Sequence, residues 1–364
     1  MLLMGMLIGA LIRSYIPSAL WEIEPFLKSL ALIIILLRAG LGINRRLLRR
    51  IGKTAILMSF IPCLFEGVAL ILILHYFFDF SFLVAGMAAF ILAAVSPAVI
   101  VPAMLNFREL GLGSRKEIPT LILAGASVDD VFAITVYALF LRQFKSVKPF
   151  AYQDLLYIPW SAGTGIILGL LFGFALVWFF RRHYKNIRAT EKVIVLLGFC
   201  LALVEIGNLI GIASLLGAMT IGYVLFEKEN KIAHEISQKL SKIWVLAEII
   251  LFVLIGISVD LNALWSAGWK GIVVIVLGLV FRSLGVIAAT AFSNLNRQEK
   301  LFCIITYLPK ATVQAALGSI PLALGIPGGG IILALAVMSI ILTAPVSLLL
   351  NSKFSTKLLT RKAE

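Results

Sequence analysis

The chain has 364 residues, 61% of them hydrophobic and 14% charged, with a mean hydropathy of +1.05. Two ordinary soluble domains of this total length would need a charged surface that the composition cannot supply. Lys and Arg number 32 against 18 Asp and Glu, a net charge of +14, so the position of the positive charge separates a nucleic-acid partner from cytoplasmic loops facing anionic lipid.

About twelve apolar segments follow one another, near 1–12, 26–43, 53–78, 81–106, 118–141, 153–180, 192–209, 211–226, 243–260, 269–292, 299–323 and 328–351, most of them with the ~20 residues that a helix needs to cross a bilayer. The expected fold class is therefore an all-α polytopic membrane protein in a single transmembrane domain over 1–364. The first segment is short and opens at Met1 with no charged leader. It reads as a clipped or tilted spanning helix, not as a signal peptide. Loops near 44–53, 107–117, 181–192, 227–242, 293–300 and 353–364 hold 23 of the 32 basic residues. The alternate loops and their margins hold six, so the bias places both termini in the cytoplasm. Arg142, Lys145 and Lys148 run against it. The cysteines, at 63, 200 and 303, each lie in an apolar run with no metal or disulfide spacing.

Three basic residues fall within or beside apolar runs, Arg38, Arg282 and Lys310, together with Glu66, Asp129, Asp130, Glu205 and Glu248. Charge inside a membrane is costly and normally faces a bundle interior, a partner or an aqueous path. Arg38, in RAGLG, reads as a structural or snorkelling side chain, and Glu205 and Glu248 lie close enough to helix ends to meet solvent.

Along the chain, Pro97 and Pro102 stand inside the apolar AAVSPAVIVPAML (93–105). Proline removes a backbone donor and clashes with the preceding turn, so both are expected to break or kink this segment. Next comes GASVDDVFAI (125–134), in which Asp129 and Asp130 are adjacent carboxylates within an apolar helix. Neighbours on a helix point about 100° apart, so one can face a cavity while the other braces it. Two such carboxylates in a low-dielectric site resist joint ionisation, and the group that faces the cavity holds a proton or a small cation, not both. A purely structural pair neutralised by Arg282 or Lys310 remains open. Gly165, Gly169 and Gly173 form a small-residue seam suited to helix packing. Another interruption is expected at TYLPKATVQAALG (306–318), around Pro309.

These features recur. Residues 53–141 hold three spans with Glu66 in the first, a break in the second and the aspartates in the third. Residues 269–351 hold three with Arg282 in the first and a break in the second. Interrupted helices at corresponding places in inverted halves point to a midplane transport site.

On ILLRAGLGI (35–43), PCLFEG (62–67), AAVSPAVIVPAML, GASVDDVFAI, VFRSLG (280–285), YLPKATVQAALGS (307–319) and ILTAP (341–345), the chain resembles the monovalent cation:proton antiporter-2 superfamily, most closely its sodium/hydrogen exchanger 9B group. That resemblance implies an NhaA-like fold with inverted repeats and two crossing discontinuous helices. It implies Asp130 as alternating proton and cation carrier, with Asp129 beside it in a Na⁺ or Li⁺ site. Arg282 takes the basic position opposite, Glu66 is its salt-bridge partner, and Lys310 offsets carbonyl ends at the crossing. Ser96, Thr312 and Gln314 stand as supporting oxygens or packing groups. The resemblance further implies 53–141 and 269–351 as the ion-binding core, 1–43 and 153–226 as scaffold and dimer helices, and a homodimer. Against longer members, an N-terminal helix that would add to the dimer contact is expected to be missing.

The implied activity is exchange of Na⁺ or Li⁺ for H⁺ by alternating access, electroneutral because the basic residue is arginine. No enzyme activity, cofactor or nucleic-acid partner is expected, and the expected location is a prokaryotic cell membrane with anionic lipid at the basic loops. A sodium-coupled organic-solute symporter of the same architecture is the alternative.

Overall fold

A computed structural model describes residues 2–12, 17–42, 45–145, 156–183, 187–210, 212–258 and 261–360. They divide into two compact units, one from Met1–Arg45 and Phe150–Ile257, the other from Arg46–Pro149 and Ser258–Glu364. Described elements are helical throughout, and six helices are long and apolar enough to span a bilayer, with three shorter apolar ones besides. The protein is an integral membrane protein with an all-α polytopic fold.

The first unit contains α1 (Leu2–Ile12), α2 (Ser18–Gly42), α8 (Tyr157–His183), α9 (Ala189–Ile210), α10 (Ser214–Lys228) and α11 (Asn230–Ser258). Its packing rests on close backbone approach. A side chain at Gly169 would come within 2.8 Å of the Gly217 Cα, and one at Gly173 within 2.9 Å of the Val224 Cβ, so the glycine seam of α8 seats against α10. Leu171, Phe174 and Trp178 on α8 are exposed, as lipid-facing side chains are.

The second unit begins with α3 (Arg45–Met58), α4 (Ile61–Phe78), α5 (Phe82–Ala93), α6 (Pro97–Glu109) and α7 (Ile118–Lys145). It continues with α12 (Leu261–Ala289), α13 (Arg297–Thr306), α14 (Thr312–Leu317), α15 (Ile320–Ala323) and α16 (Gly329–Leu358). The expected 53–78 span is divided at Ser59 and Phe60, because Pro62 at the start of α4 cannot donate to the preceding turn. Helices α4 and α12 pack through Gly278 and Gly285, where a Cβ would meet Leu70 at 3.1 Å and the Pro62 Cα at 2.6 Å. Trp269, Phe77 and Tyr76 cluster near the ends of these two helices, and Lys270 Nζ donates to the Phe77 carbonyl at 3.2 Å. Aromatic and basic side chains gather in this way at membrane margins.

Two spans are discontinuous. The first is extended at 94–96 between α5 and α6, with Pro97 at the start of α6, where its missing N–H costs nothing. Pro102 does not break the chain. It lies within α6, because the helix restarts at Pro97 and the later turns carry it across one lost bond. The second span is non-helical at 308–311, around Pro309, between α13 and α14. Two further distortions had no reading in the sequence: Gly268 at φ 43°, which kinks α12, and Pro345 inside α16.

Candidate functional site

The two breaks meet. Ser96 N–H donates to the Pro309 carbonyl at 2.9 Å, and Ser96 Oγ lies 3.4 Å from Thr312 Oγ1. Gln314, on the first turn of α14, sends its side-chain amide to the Ile91, Leu92 and Ala94 carbonyls at 3.0, 3.3 and 2.7 Å. These carbonyls lost their helical partners when α5 ended, and backbone groups buried in a membrane must be satisfied by the protein itself. Gln314 thus caps the first break from the second. Its Oε1 has no partner.

Five charged side chains lie fully buried around this crossing: Glu66, Asp129, Asp130, Arg282 and Lys310. Arg282 projects from α12 one turn after Gly278. It donates from Nε to the Tyr307 carbonyl at 2.6 Å, from Nη1 to Glu66 at 2.9 Å and to the Ala93 carbonyl, and from Nη2 to Asp129 at 2.9 Å. Lys310 Nζ donates to the same Glu66 oxygen at 2.6 Å and to the Ala93 carbonyl at 3.2 Å. The carbonyl that closes α5 therefore meets two cations, which suits the negative end of a helix dipole.

The adjacent aspartates have different environments. Asp129 Oδ2 accepts from Arg282 and from the Val95 N–H at 3.2 Å, the latter freed by the break. Asp130 has neither contact; its Oδ1 is buried with no hydrogen-bond partner, and none of the ion pairs among the described residues includes it. The 100° step between neighbours produces this asymmetry, turning Asp129 toward α12 while Asp130 points elsewhere. Fully ionised, the cluster has three carboxylates and two cations, leaving one negative charge to be balanced. An unpaired buried carboxylate costs several kcal/mol, and one proton or one monovalent cation would balance the cluster.

No group of three or more His, Cys, Asp or Glu side chains suited to a metal ion exists among the described residues. A transported Na⁺ or Li⁺ at Asp129 and Asp130 would accordingly complete its shell from neutral oxygens. Unpartnered Asp129 Oδ1, Asp130 Oδ1 and Gln314 Oε1 are of the right oxygen chemistry, while Ser96 and Thr312 are turned toward each other.

Sequence reasoning missed the supports from α16. Ser339, Thr343, Ser347, Asn351 and Ser355 recur at four-residue spacing, all buried. Thr343 Oγ1 accepts the Lys310 backbone N–H at 2.8 Å, Ser347 Oγ donates to the Ile305 carbonyl at 3.2 Å, and Thr306 donates to Asn351 at 3.0 Å. That polar stripe in an apolar helix was the available signal. Thr343→Val keeps the shape and strands the Lys310 N–H, so it is expected to lower stability by about 1–3 kcal/mol in detergent unfolding. An unchanged midpoint would contradict that bond.

Of the other charged residues within or beside apolar runs, Glu205 is exposed, Arg38 is half-buried, and the side chain of Glu248 lies outside the described residues. His75 Nδ1 is 2.6 Å from the Phe80 carbonyl, and its ring stacks on Phe82.

Two crossed helix breaks around a buried charge cluster with one uncompensated carboxylate define an ion-coupled membrane transporter. The sequence matches the family described as sodium/hydrogen exchanger, transmembrane, over residues 1–352, and the chain belongs to that family. It is 30% identical to sodium/hydrogen exchanger 9B1 of Macaca fascicularis over 346 residues, covering 92% of this chain and 67% of the relative. To the 9B2 exchanger of Bison bison bison it is 31% identical over 380 residues, covering 100% and 70%. In fold it is similar to the sodium proton antiporter MjNhaP1 of Methanocaldococcus jannaschii, with a TM-score of 0.81, 22% identity, and coverage of 98% of this chain and 90% of that one.

Proposed function

We propose that the protein is a secondary active antiporter exchanging Na⁺ or Li⁺ for H⁺ across a membrane by alternating access. The observation that carries this reading is the contrast within one carboxylate pair: Asp129 is tied to Arg282 and Val95, while Asp130 is buried with no ionic partner. Asp130 is the carrier. Deprotonated on one side, it takes the cation with help from Asp129 and neutral oxygens; emptied on the other, it takes a proton. Both loaded forms neutralise the cluster, and the empty ionised form leaves a charge buried without a partner. This penalty disfavours movement of the empty site and so couples the two ions.

Arg282 stays charged and cannot serve as a second proton carrier. One proton per cation is the stoichiometry that this supports. Glu66 is held by Arg282 and Lys310 together. In this reading residues 1–43 and 153–226 serve as scaffold and dimer helices, and 53–141 with 269–351 carry the ion. Both termini are cytoplasmic, in keeping with the basic loops, the membrane is a prokaryotic cell membrane, and anionic lipid is the partner of those loops. Ion gradients drive turnover without a cofactor. Family membership favours exchange over the organic-solute symporter.

Purified protein in liposomes containing a pH dye tests this. External Na⁺ or Li⁺ is expected to drive proton efflux with the voltage clamped and no organic solute present. Sodium entry that needs an added solute and leaves the internal pH unchanged would support symport instead.

A further inference from the structure

The geometry points to Tyr307 as a positioning residue for the carrier helix, its hydroxyl acting as a spacer against Gly125 on α7. Tyr307 is fully buried at the end of α13 and touches the charge cluster in two ways: its carbonyl accepts from Arg282 Nε at 2.6 Å, and its ring lies 5.4 Å from the Arg282 guanidinium carbon. Its Oη has no hydrogen-bond partner. A buried hydroxyl without a partner is a recurrent cost, and phenylalanine would avoid it. The oxygen sits where a methyl group on Gly125 would stand; a Cβ there would overlap Oη while clearing Cζ by 3.5 Å, with Met58 Cβ at 3.1 Å as the remaining near neighbour.

Gly125 is one helical turn before Asp129, on the same face of α7. One residue thus fixes Arg282 from its backbone and the aspartate helix from its side-chain tip. The Arg282–Asp129 bond of 2.9 Å spans the gap so defined. Spacing at Gly125 therefore sets how firmly Asp129 is held, and through it how much negative charge is left for Asp130 to share with a cation. This also explains why GASVDD opens on glycine. The inference rests on the exchange reading for its transport readout, but the contact itself does not.

The test is a cycle of Gly125→Ala, Tyr307→Phe and the double variant. Each protein is purified, scored for thermal unfolding with and without Na⁺, and assayed for Na⁺-driven proton flux. Gly125→Ala is expected to raise the apparent KM for Na⁺ about tenfold or more, because the methyl displaces α7 against Oη. Tyr307→Phe is expected to fold normally with a KM changed by a few-fold. In the double variant the oxygen is gone, and KM is expected to return to within about threefold of Tyr307→Phe, a rescue that general core damage would not give. If Gly125→Ala does not fold, recovery of folding and exchange in the double variant still supports the spacer. A KM unchanged in Gly125→Ala, or a double variant no better than Gly125→Ala in both unfolding and flux, would overturn it. Should the wild type show no exchange, the unfolding midpoints alone still report the contact, so the two failures are distinguishable.

Discussion

Arg282→Met is expected to destabilise the protein by roughly 3–5 kcal/mol, because it removes one partner of a buried network and leaves the others charged. The cluster would then hold Glu66, Asp129 and Asp130 against Lys310 alone, two negative charges in excess instead of one. Asp129 would keep only the Val95 N–H, and the carbonyls of Ala93 and Tyr307 would each lose a donor. Adding Asp129→Asn to the same chain restores the excess to one. The double variant is therefore expected to recover much of the unfolding midpoint without recovering normal exchange. Detergent unfolding by heat or denaturant measures both, and an Arg282→Met protein as stable as wild type would contradict the network described.

The aspartates are expected to part company on mutation. Asp130→Asn removes the carboxylate with no ionic partner and leaves a cluster of two acids and two bases, so the fold is expected to hold at an equal or higher midpoint. Exchange is expected to fall by about 100-fold or more, to the background of empty liposomes, since nothing remains to alternate between proton and cation. Asp129→Asn also leaves two acids and two bases, but keeps the carrier. It is expected to retain measurable exchange with a weakened cation affinity, about tenfold in apparent KM, because Arg282 loses its neighbour and its charge is left facing the site. Equal and complete loss in both variants, with both folded, would show that the pair acts as a unit.

Much of this arrangement was legible from residue types and spacing. Runs of about twenty apolar residues gave the helical membrane fold, and Pro97 and Pro309 marked the two interruptions. Buried charge gave the candidates themselves, since Glu66, Asp129, Asp130, Arg282 and Lys310 stand out against apolar neighbours. Sequence could not say which aspartate is paired, because the Arg282–Asp129 contact joins residues 153 apart and depends on the packing of α12 against its neighbours. Nor could it show that Glu66 serves Arg282 and Lys310 at once. Pro102 misled because proline rules describe a helix in isolation, and this helix had already restarted five residues earlier. Thr343 and Tyr307 were passed over because threonine and tyrosine in an apolar run look ordinary until their backbone and hydroxyl contacts are seen.

The central claim is that one buried carboxylate holds a proton or a cation, never both. Proton release on cation binding tests it most directly: Na⁺ or Li⁺ is added to purified protein in weakly buffered detergent solution, and the pH change is calibrated against added acid. About one proton per chain is expected at saturation, with a midpoint that moves to higher Na⁺ as the starting pH falls and with no release from Asp130→Asn. Saturable Na⁺ binding that releases no proton at any starting pH, or equal release from Asp130→Asn, would contradict it.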